Sequence, residues 1–353
     1  MEYILTKSQY EFLRQKGQPV NLLVPKIEGV SLSAVEMKDL VTKKYVTKDH
    51  NLTNELIELV KVLCRPVSIQ RQRLINMDAI IEQVLYSGEG DGLIAVSERE
   101  NGVVIESPYK NGDDLEGMGQ YLGGSILQST NINLSLPVLE AVVLAGLWDC
   151  IRKKNLEKNF EEDGIDWIRK DELVEFILTV DSSQSFSYFI KAMNDIKLDR
   201  KVVENQLPIL EEKGFVEGNE RLTLTESTLE VAFRFNAFKT ILQLTTASQK
   251  AETTFGSEMI ILQDGVTDLM LMEIGAENVQ FLSVSSLGAL SMLEAYYNNP
   301  KSYLGDLYEI EEMPKVKEEA PTEAAMTGAK FCAECGAKRT EGAKFCPECG
   351  NKF

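Results

Sequence analysis

Two nearly identical eleven-residue segments lie at the end of the sequence, and each contains a pair of cysteines. The first begins at Gly328 and reads GAKFCAECGAK, and the second begins at Gly342 and reads GAKFCPECGNK. Within each pair the cysteines stand three positions apart, so two thiolates can hold one ion where the chain turns sharply. A glycine follows each second cysteine, where a positive φ angle costs little. The spacing C-x2-C-x10-C-x2-C therefore predicts a zinc site.

Four sulfur ligands indicate one structural Zn²⁺ ion with no open coordination position and no hydrolytic water. The predicted ligands are Cys332, Cys335, Cys346 and Cys349. The alternative is two redox-active CxxC pairs, but those occupy strand-to-helix junctions, whereas these lie in duplicated glycine-rich segments. Residues 328–353 resemble the short zinc-ribbon family found at the ends of many bacterial and archaeal proteins. The resemblance implies docking to proteins or nucleic acids.

The rest of the chain divides into three parts by composition. Residues 311–327 are charged and rich in Pro and Ala, without apolar periodicity, which predicts a flexible linker. Residues 1–134 are expected to form an N-terminal α+β half, and residues 135–310 a C-terminal α+β half with a winged-helix-like segment. With 44% hydrophobic residues, this body has enough apolar material for its own core.

The formal net charge of −18 disfavours nucleic acid as a partner, because an acidic surface repels phosphate backbones. It favours a basic or neutral protein partner. No apolar run approaches the roughly 18 residues that a membrane helix needs, so we expect no membrane insertion. The first residues lack a basic and then apolar signal pattern. We therefore expect a cytoplasmic protein, in which clustered cysteines bind metal rather than form disulfides.

The body contains an internal repeat. The pattern that runs from Met37 and Leu40 to Lys43-Lys44-Tyr45-Val46 recurs 170 residues later, from Leu207 and Leu210 to Lys213-Gly214-Phe215-Val216. Leu52-Thr53 and Leu222-Thr223 follow at the same distance. Each copy predicts a helix, a strand, a polar turn, a return strand and a new helix, as in a winged-helix unit. The predicted fold is α+β, with two pseudo-symmetric halves, winged-helix-like segments and small antiparallel sheets.

Similar elements are expected after each copy. The first should continue with a helix near 76–85, a hairpin of 92–98 with 103–106, and a helix near 115–127. The second should continue with a helix near 229–244, a hairpin of 259–262 with 269–274, and a helix near 285–297. Linking helices are predicted at 137–154, 170–178 and 186–197.

The remaining candidates for chemistry favour a structural interpretation. His50 is the only histidine and stands in a predicted polar turn. Cys64 and Cys150 lie in apolar helical stretches and are expected to be small core residues rather than nucleophiles. The glycines at 117, 119, 123 and 124 have no lysine placed for a phosphate. Because base, nucleophile and oxyanion donor do not occur together in the pattern, we expect no enzyme.

The body resembles the EspG-like chaperones of type VII secretion. The resemblance covers most of residues 1–300 and rests on the early LTKSQYEFL segment, the VNLLVP run, the repeated Lys-Lys-Tyr-Val and Leu-Thr module, and the duplication. It implies a bilobed α+β protein that shields an exported helical hairpin in the cytosol. The zinc tail departs from the usual form of that family.

Two functions are therefore expected. The first is a non-catalytic cytosolic adaptor or chaperone for another protein, with an exported helical protein as the candidate, in which the zinc ribbon docks a second partner. The alternative is a transcription regulator that binds DNA through its winged-helix segment and zinc ribbon. Glutamates within the helix that starts at Arg200 oppose the alternative, since a DNA-reading helix places Arg, Lys, Asn or Gln along its exposed face.

Overall fold

The computed structural model describes residues 1–76, 80–89, 92–100, 102–110, 112–158, 165–194, 196–250, 253–298 and 308–309. The chain divides into two units, Met1–Glu311 and Glu312–Phe353. The predicted linker and zinc ribbon, with Cys332, Cys335, Cys346 and Cys349, lie outside the described residues. The proposed boundary between residues 134 and 135 stays a prediction.

Helices and strands alternate along the described chain. The helices are α1 (Lys7–Lys16), α2 (Ala34–Thr42), α3 (Asn54–Cys64), α4 (Gly112–Leu122), α5 (Val138–Glu157), α6 (Lys170–Thr179), α7 (Phe186–Asn194), α8 (Arg200–Glu212), α9 (Glu226–Arg234) and α10 (Ser286–Asn298). The strands are β1 (Glu2–Leu5), β2 (Ser68–Asn76), β3 (Ile80–Ser87), β4 (Leu93–Arg99), β5 (Gly102–Glu106), β6 (Asn133–Pro137), β7 (Trp167–Arg169), β8 (Val216–Glu217), β9 (Arg221–Leu224), β10 (Thr240–Lys250), β11 (Thr253–Gln263), β12 (Leu269–Ile274), β13 (Asn278–Val284) and β14 (Tyr308–Glu309).

One antiparallel sheet runs through both halves in the order β1-β5-β4-β3-β2-β10-β11-β12-β13-β6, and β14 pairs with β11. The predicted α+β class is confirmed. The structure differs from the expected small sheets, because the two meanders join where β2 pairs with β10 from Ser68↔Ser248 to Asn76↔Thr240. This pairing satisfies backbone groups that two separate sheets would each have left at an edge.

The same order of elements occurs in both halves. The first half contains α2, an isolated bridge between Val46 and Leu52, α3, the meander β2–β5 and α4. The second contains α8, the hairpin β8–β9, α9, the meander β10–β13 and α10. This order agrees with the predicted duplication, which stays a prediction because shared ancestry is not a property of the geometry.

The two copies align with one shift that the sequence comparison missed. Thr53 N donates to Tyr45 O at 3.2 Å before α3, and Thr225 N donates to Phe215 O at 3.2 Å before α9. Leu52-Thr53 is therefore equivalent to Leu224-Thr225, and not to Leu222-Thr223. The second hairpin is longer, so the ungapped match of the return strands was wrong.

Two predicted helices were wrong in whole or in part. Residues 80–85 belong to strand β3. Ile80, Ile81 and Val84 are β-branched, which favours a strand, and β3 pairs with β2 from Ile80 to Ser87. The helix expected at 229–244 ends at Arg234, and β10 begins at Thr240. β3 pairs with its sequence neighbours β2 and β4, and β10 pairs with the distant strand β2. In both places the strand pairing outweighs the local helical pattern.

The sheet has a core on each face. On one face α5 is buried almost along its full length, and Trp148 packs edge-to-face on Phe186 and Phe281 with ring centroids 5.6 and 5.0 Å apart. On the other face α4 and α10 cover the middle of the sheet through residues such as Leu122 and Leu293. The sheet is thus a central layer between helices.

Candidate functional site

The neighbouring strands β2 and β3, near the middle of the sheet, carry polar side chains on both of their faces. On the face of β2 that points away from α4 and α10, Arg71 is exposed, and Arg73 Nε lies 2.6 Å from Glu82 Oε1 on β3. On the opposite face, Tyr297 Oη donates to Gln72 Oε1 at 3.1 Å, and Gln83 Nε2 donates to the same oxygen at 2.9 Å. These contacts fix α10 to the two central strands.

A small cavity adjoins this polar cluster on the α4 side of the sheet. Its volume is about 120 Å³. Its lining is mostly apolar and consists of Gln72, Leu74, Ile81, Gln83, Gly117, Met118, Tyr121 and Leu242. Ile81 and Tyr121 remain 47% and 37% exposed, so the cavity opens to solvent beside β3. It is too small for a drug-sized ligand but large enough for one apolar side chain.

Four exposed aliphatic side chains occur on three segments that are tied together at one end of the sheet. They are Ile126, Leu127, Val266 and Leu287, and we name them the loop patch. Leu287 N donates to Ser125 O at 3.1 Å, and Ser286 Oγ donates to Val266 O at 3.2 Å. Ile126 is 75% exposed and Val266 66%. An exposed aliphatic cluster on ordered backbone is typical of a protein-binding surface.

Glu258 is a buried carboxylate in the centre of β11. Only Gln243 Nε2 donates to it, at 2.5 Å, and its second oxygen, Oε2, has no partner within the described part of the chain. Burial raises the pKa of Glu258 to about 8, although the hydrogen bond from Gln243 opposes the change. The side chain is therefore mostly protonated at neutral pH.

The residues that the sequence offered for chemistry are separated in the fold. His50 lies in an exposed turn with φ 61°. Cys64 and Cys150 are buried free thiols, and burial raises the pKa of each, well above its ordinary value for Cys150. The described residues contain no group of three or more His, Cys, Asp or Glu side chains placed to hold a metal ion.

The glycine pattern at 117–124 lies in and just after a helix rather than in a phosphate-binding loop. Gly117 and Gly119 belong to α4, where a Cβ on Gly119 would reach Leu290 Cδ1 at 3.7 Å. Gly123, with φ +84°, directly follows the last residue of α4. This placement fits the structural interpretation of these glycines.

The segment that motivated the DNA-binding alternative has the expected order of elements. Strands β7, β9 and β8 form a separate three-stranded sheet that accompanies α6, α7 and α8. However, Arg200 at the start of α8 is occupied by Asp171 at 2.7 Å and Glu204 at 3.2 Å. Exposed positions at the end of α8 include Glu211 and Glu212. The exposed surface of α8 is therefore poor in free cations.

The comparisons with known proteins concern the tail and the body separately. Residues 329–353 match the family model of a zinc-ribbon domain. This match includes all four predicted cysteine ligands and confirms the zinc ribbon, and such a domain binds zinc. No curated protein matches the chain in sequence. No helix in the described ranges is both long and apolar enough to cross a membrane.

In structure, the chain is similar to the type VII secretion system chaperone EspG5 of Mycobacterium tuberculosis, which was solved in complex with a PE25–PPE41 dimer. The TM-score is 0.48 and the sequence identity 9%, over 83% of this chain and 95% of that chain.

Proposed function

We propose that the protein is a non-catalytic adaptor or chaperone that binds another protein through its body. The observation that carries this proposal is the loop patch, in which Ile126, Leu127, Val266 and Leu287 expose large aliphatic surfaces on hydrogen-bonded backbone. A soluble fold normally buries such side chains unless a partner covers them. The buried and widely separated titratable groups add support, since they do not form a reaction centre.

The finer proposal is that the partner is an exported helical protein of type VII secretion, bound in the cytoplasm. It rests on the sequence pattern of residues 1–300. The loop patch is compatible with it, because an amphipathic helix offers a complementary apolar stripe. The zinc ribbon, with one Zn²⁺ ion held by its four cysteines, would dock a second partner.

The test is affinity capture of the tagged full chain from its native host, followed by identification of the bound proteins. The informative variant is Ile126→Ser with Leu127→Ser, and the matched control is Val35→Ser, since Val35 is 78% exposed on α2 away from the patch. We expect a reproducible partner that the patch variant loses and the control retains. A host partner that both variants retain, or none at all, would contradict the proposal.

A second function, DNA binding, is favoured by one observation, the layout of β7, α6, α7, α8, β8 and β9. It is tested with duplex DNA of random sequence in a fluorescence anisotropy titration at several salt concentrations. Binding that weakens steeply with salt would place DNA recognition above protein binding. We expect no binding near physiological salt, because the exposed end of α8 is acidic.

A further inference from the structure

The cavity beside α4 has a buried hydrogen-bond donor without an acceptor in its wall. Gln72 on β2 lines the cavity and is only 3% exposed. Its Nε2 has no hydrogen-bond partner in the part of the chain that the structure describes. Because a buried donor left unpaired destabilises the folded state, such a group normally marks the place of a bound water or ligand.

The other end of the same amide is held by two hydrogen bonds. Gln72 Oε1 accepts from Gln83 Nε2 at 2.9 Å and from Tyr297 Oη at 3.1 Å. Gln83 Nε2 also donates to Tyr109 Oη at 3.1 Å, so the amide nitrogen of Gln83 faces this network as a donor. The orientation of the Gln72 amide follows from these contacts. A molecule that enters the cavity therefore meets a donor at Gln72, and not an acceptor.

The rest of the buried wall is apolar, and the space is small. Leu74, Met118 and Leu242 are buried and contribute to the lining. The cavity has a volume of about 120 Å³. Since an apolar cavity of about 150 Å³ is enough to hold benzene, this one accommodates a ligand of about six non-hydrogen atoms.

The cavity favours a neutral ligand. Among the described residues that line it, none carries a charged side chain. A charged ligand would thus lose its hydration without gaining a counter-charge. A carbonyl oxygen, in contrast, supplies an acceptor for Gln72 Nε2 while remaining neutral.

A glycine of α4 contributes to the free space. Gly117 lines the cavity, and a Cβ added to it would have nothing within 4 Å. Ile81 and Tyr121, which are partly exposed, also belong to the lining, so a small molecule can enter from solvent. A large side chain at position 117 would take up the space that a ligand needs.

We propose that this cavity binds a small neutral molecule with one carbonyl oxygen and an apolar body, about six non-hydrogen atoms in all. The carbonyl oxygen accepts a hydrogen bond from Gln72 Nε2, and the apolar body packs on Leu74, Met118 and Leu242. The site goes beyond the proposed function, because it assigns a small-molecule ligand to a cavity that shares no residue with the loop patch.

The probes are cyclopentanone and methylenecyclopentane, which have nearly the same size and shape but differ in the acceptor. Each is titrated into the full chain, labelled with carbon-13 at the methyl groups of methionine and isoleucine, and the methyl resonances of Met118 and Ile81 are followed by NMR. We expect saturable shifts of both methyl groups with cyclopentanone. Methylenecyclopentane should bind at least about tenfold more weakly, because it leaves Gln72 Nε2 unpaired.

Three variants locate the site. Gln72→Met removes the donor at similar volume and should bind both probes equally. Gly117→Leu should lose binding of both probes, and its higher helix propensity favours the fold of α4. The matched control is Gln120→Leu, which adds the same side chain at an exposed position of α4 without changing the charge, and it should bind as the unchanged chain does.

The proposal is overturned if cyclopentanone causes no saturable shift, which would mean that water alone occupies the cavity. It is also overturned if methylenecyclopentane binds as tightly as cyclopentanone, if Gly117→Leu still binds, or if Gln120→Leu loses binding. If Gln72→Met does not fold, the two probes on the unchanged chain and Gly117→Leu still decide. Because the probes replace any host partner, this test can fail while the loop-patch experiment succeeds, and the reverse.

Discussion

Asp149 and Arg152, one turn apart on α5, form a buried ion pair with 3.2 Å between Asp149 Oδ1 and Arg152 Nε. Asp149 also accepts hydrogen bonds from the backbone of Phe186 and Ser187, both at 2.9 Å, at the start of α7. Arg152 lies over the Phe238 ring at 4.3 Å and donates to a backbone carbonyl. One carboxylate thus orders two helices and the aromatic core between them.

Asp149→Ala should lower the free energy of unfolding by about 3 to 5 kcal/mol, because it leaves the Arg152 charge buried without its partner. Denaturant unfolding followed by circular dichroism measures the loss. Asp171→Ala serves as the control, since its pair with Arg200 is exposed, and it should leave the unfolding midpoint unchanged. Equal midpoints for the unchanged chain and Asp149→Ala would refute the structural role of this pair.

Gly146→Ala should destabilise the body by about 1 to 3 kcal/mol through overpacking. A Cβ at Gly146 would lie 2.5 Å from Ile177 Cγ1, and Ile177 is fully buried between α5 and α6. Gly117→Ala in α4 is the matched change, because nothing lies within 4 Å of its added Cβ. That variant should gain about 0.5 to 1 kcal/mol from its higher helix propensity. Thermal melts compare the stability of both variants with that of the unchanged chain. A Gly146→Ala variant more stable than the unchanged chain would contradict the close packing of α5 on α6.

The sequence predicted those elements whose signal is local and strong. The long helix expected at 137–154 is α5, and the hairpin expected at 259–262 with 269–274 is β11 with β12. The helices expected before Lys43 and Lys213 are present as α2 and α8, while the winged-helix interpretation of these segments stays a prediction. For the tail, the cysteine spacing alone indicated the zinc ribbon.

What the sequence missed depends on contacts between distant segments. Strand β2 carries Arg71, Arg73 and two glutamines, so its pattern does not look like a central strand. Its pairing with β10 in the other half, added to its pairing with β3, places it in the middle of the sheet. The loop patch likewise needs α10 to bring Leu287 beside the segment around Ile126. No local periodicity contains that information.

Glu258 should make the stability of the body depend on pH in an unusual direction. Its pKa is raised from an ordinary 4.5 to about 8 in the folded chain, so the folded state holds the proton more tightly than the unfolded state. The contribution is fully present below about pH 4.5 and is lost as the pH rises toward 8. Each pH unit between these values costs about 1.4 kcal/mol.

Glu258→Gln should therefore flatten the stability profile between about pH 5 and 8 and be more stable than the unchanged chain at the alkaline end. Denaturant midpoints across that range measure the effect. Glu82→Gln is the control, because Glu82 occupies the equivalent position on β3 and is exposed. Parallel profiles for the unchanged chain and Glu258→Gln would show that this carboxyl does not titrate in the expected range.

Cys346→Ser should abolish stoichiometric zinc binding, since three thiolates do not complete the tetrahedral site that the sequence predicts. The unchanged chain should contain one zinc ion per molecule, measured by elemental analysis after exhaustive dialysis. Much of the folding free energy of such a domain comes from the metal, on the order of 10 kcal/mol near neutral pH. Its amides should therefore exchange freely with deuterium once a chelator removes the ion.

The body cysteines provide the control for this experiment. Cys64 Sγ contacts the carbonyl of Arg14 at 3.2 Å in a buried site, and Cys150 is buried on α5. Cys64→Ala should therefore keep one zinc ion per chain, as should Cys150→Ala. Loss of zinc from either variant would place a body thiolate among the ligands. Retention of full zinc by Cys346→Ser would remove Cys346 from the predicted set, because a closed four-thiolate site cannot lose one ligand without losing affinity.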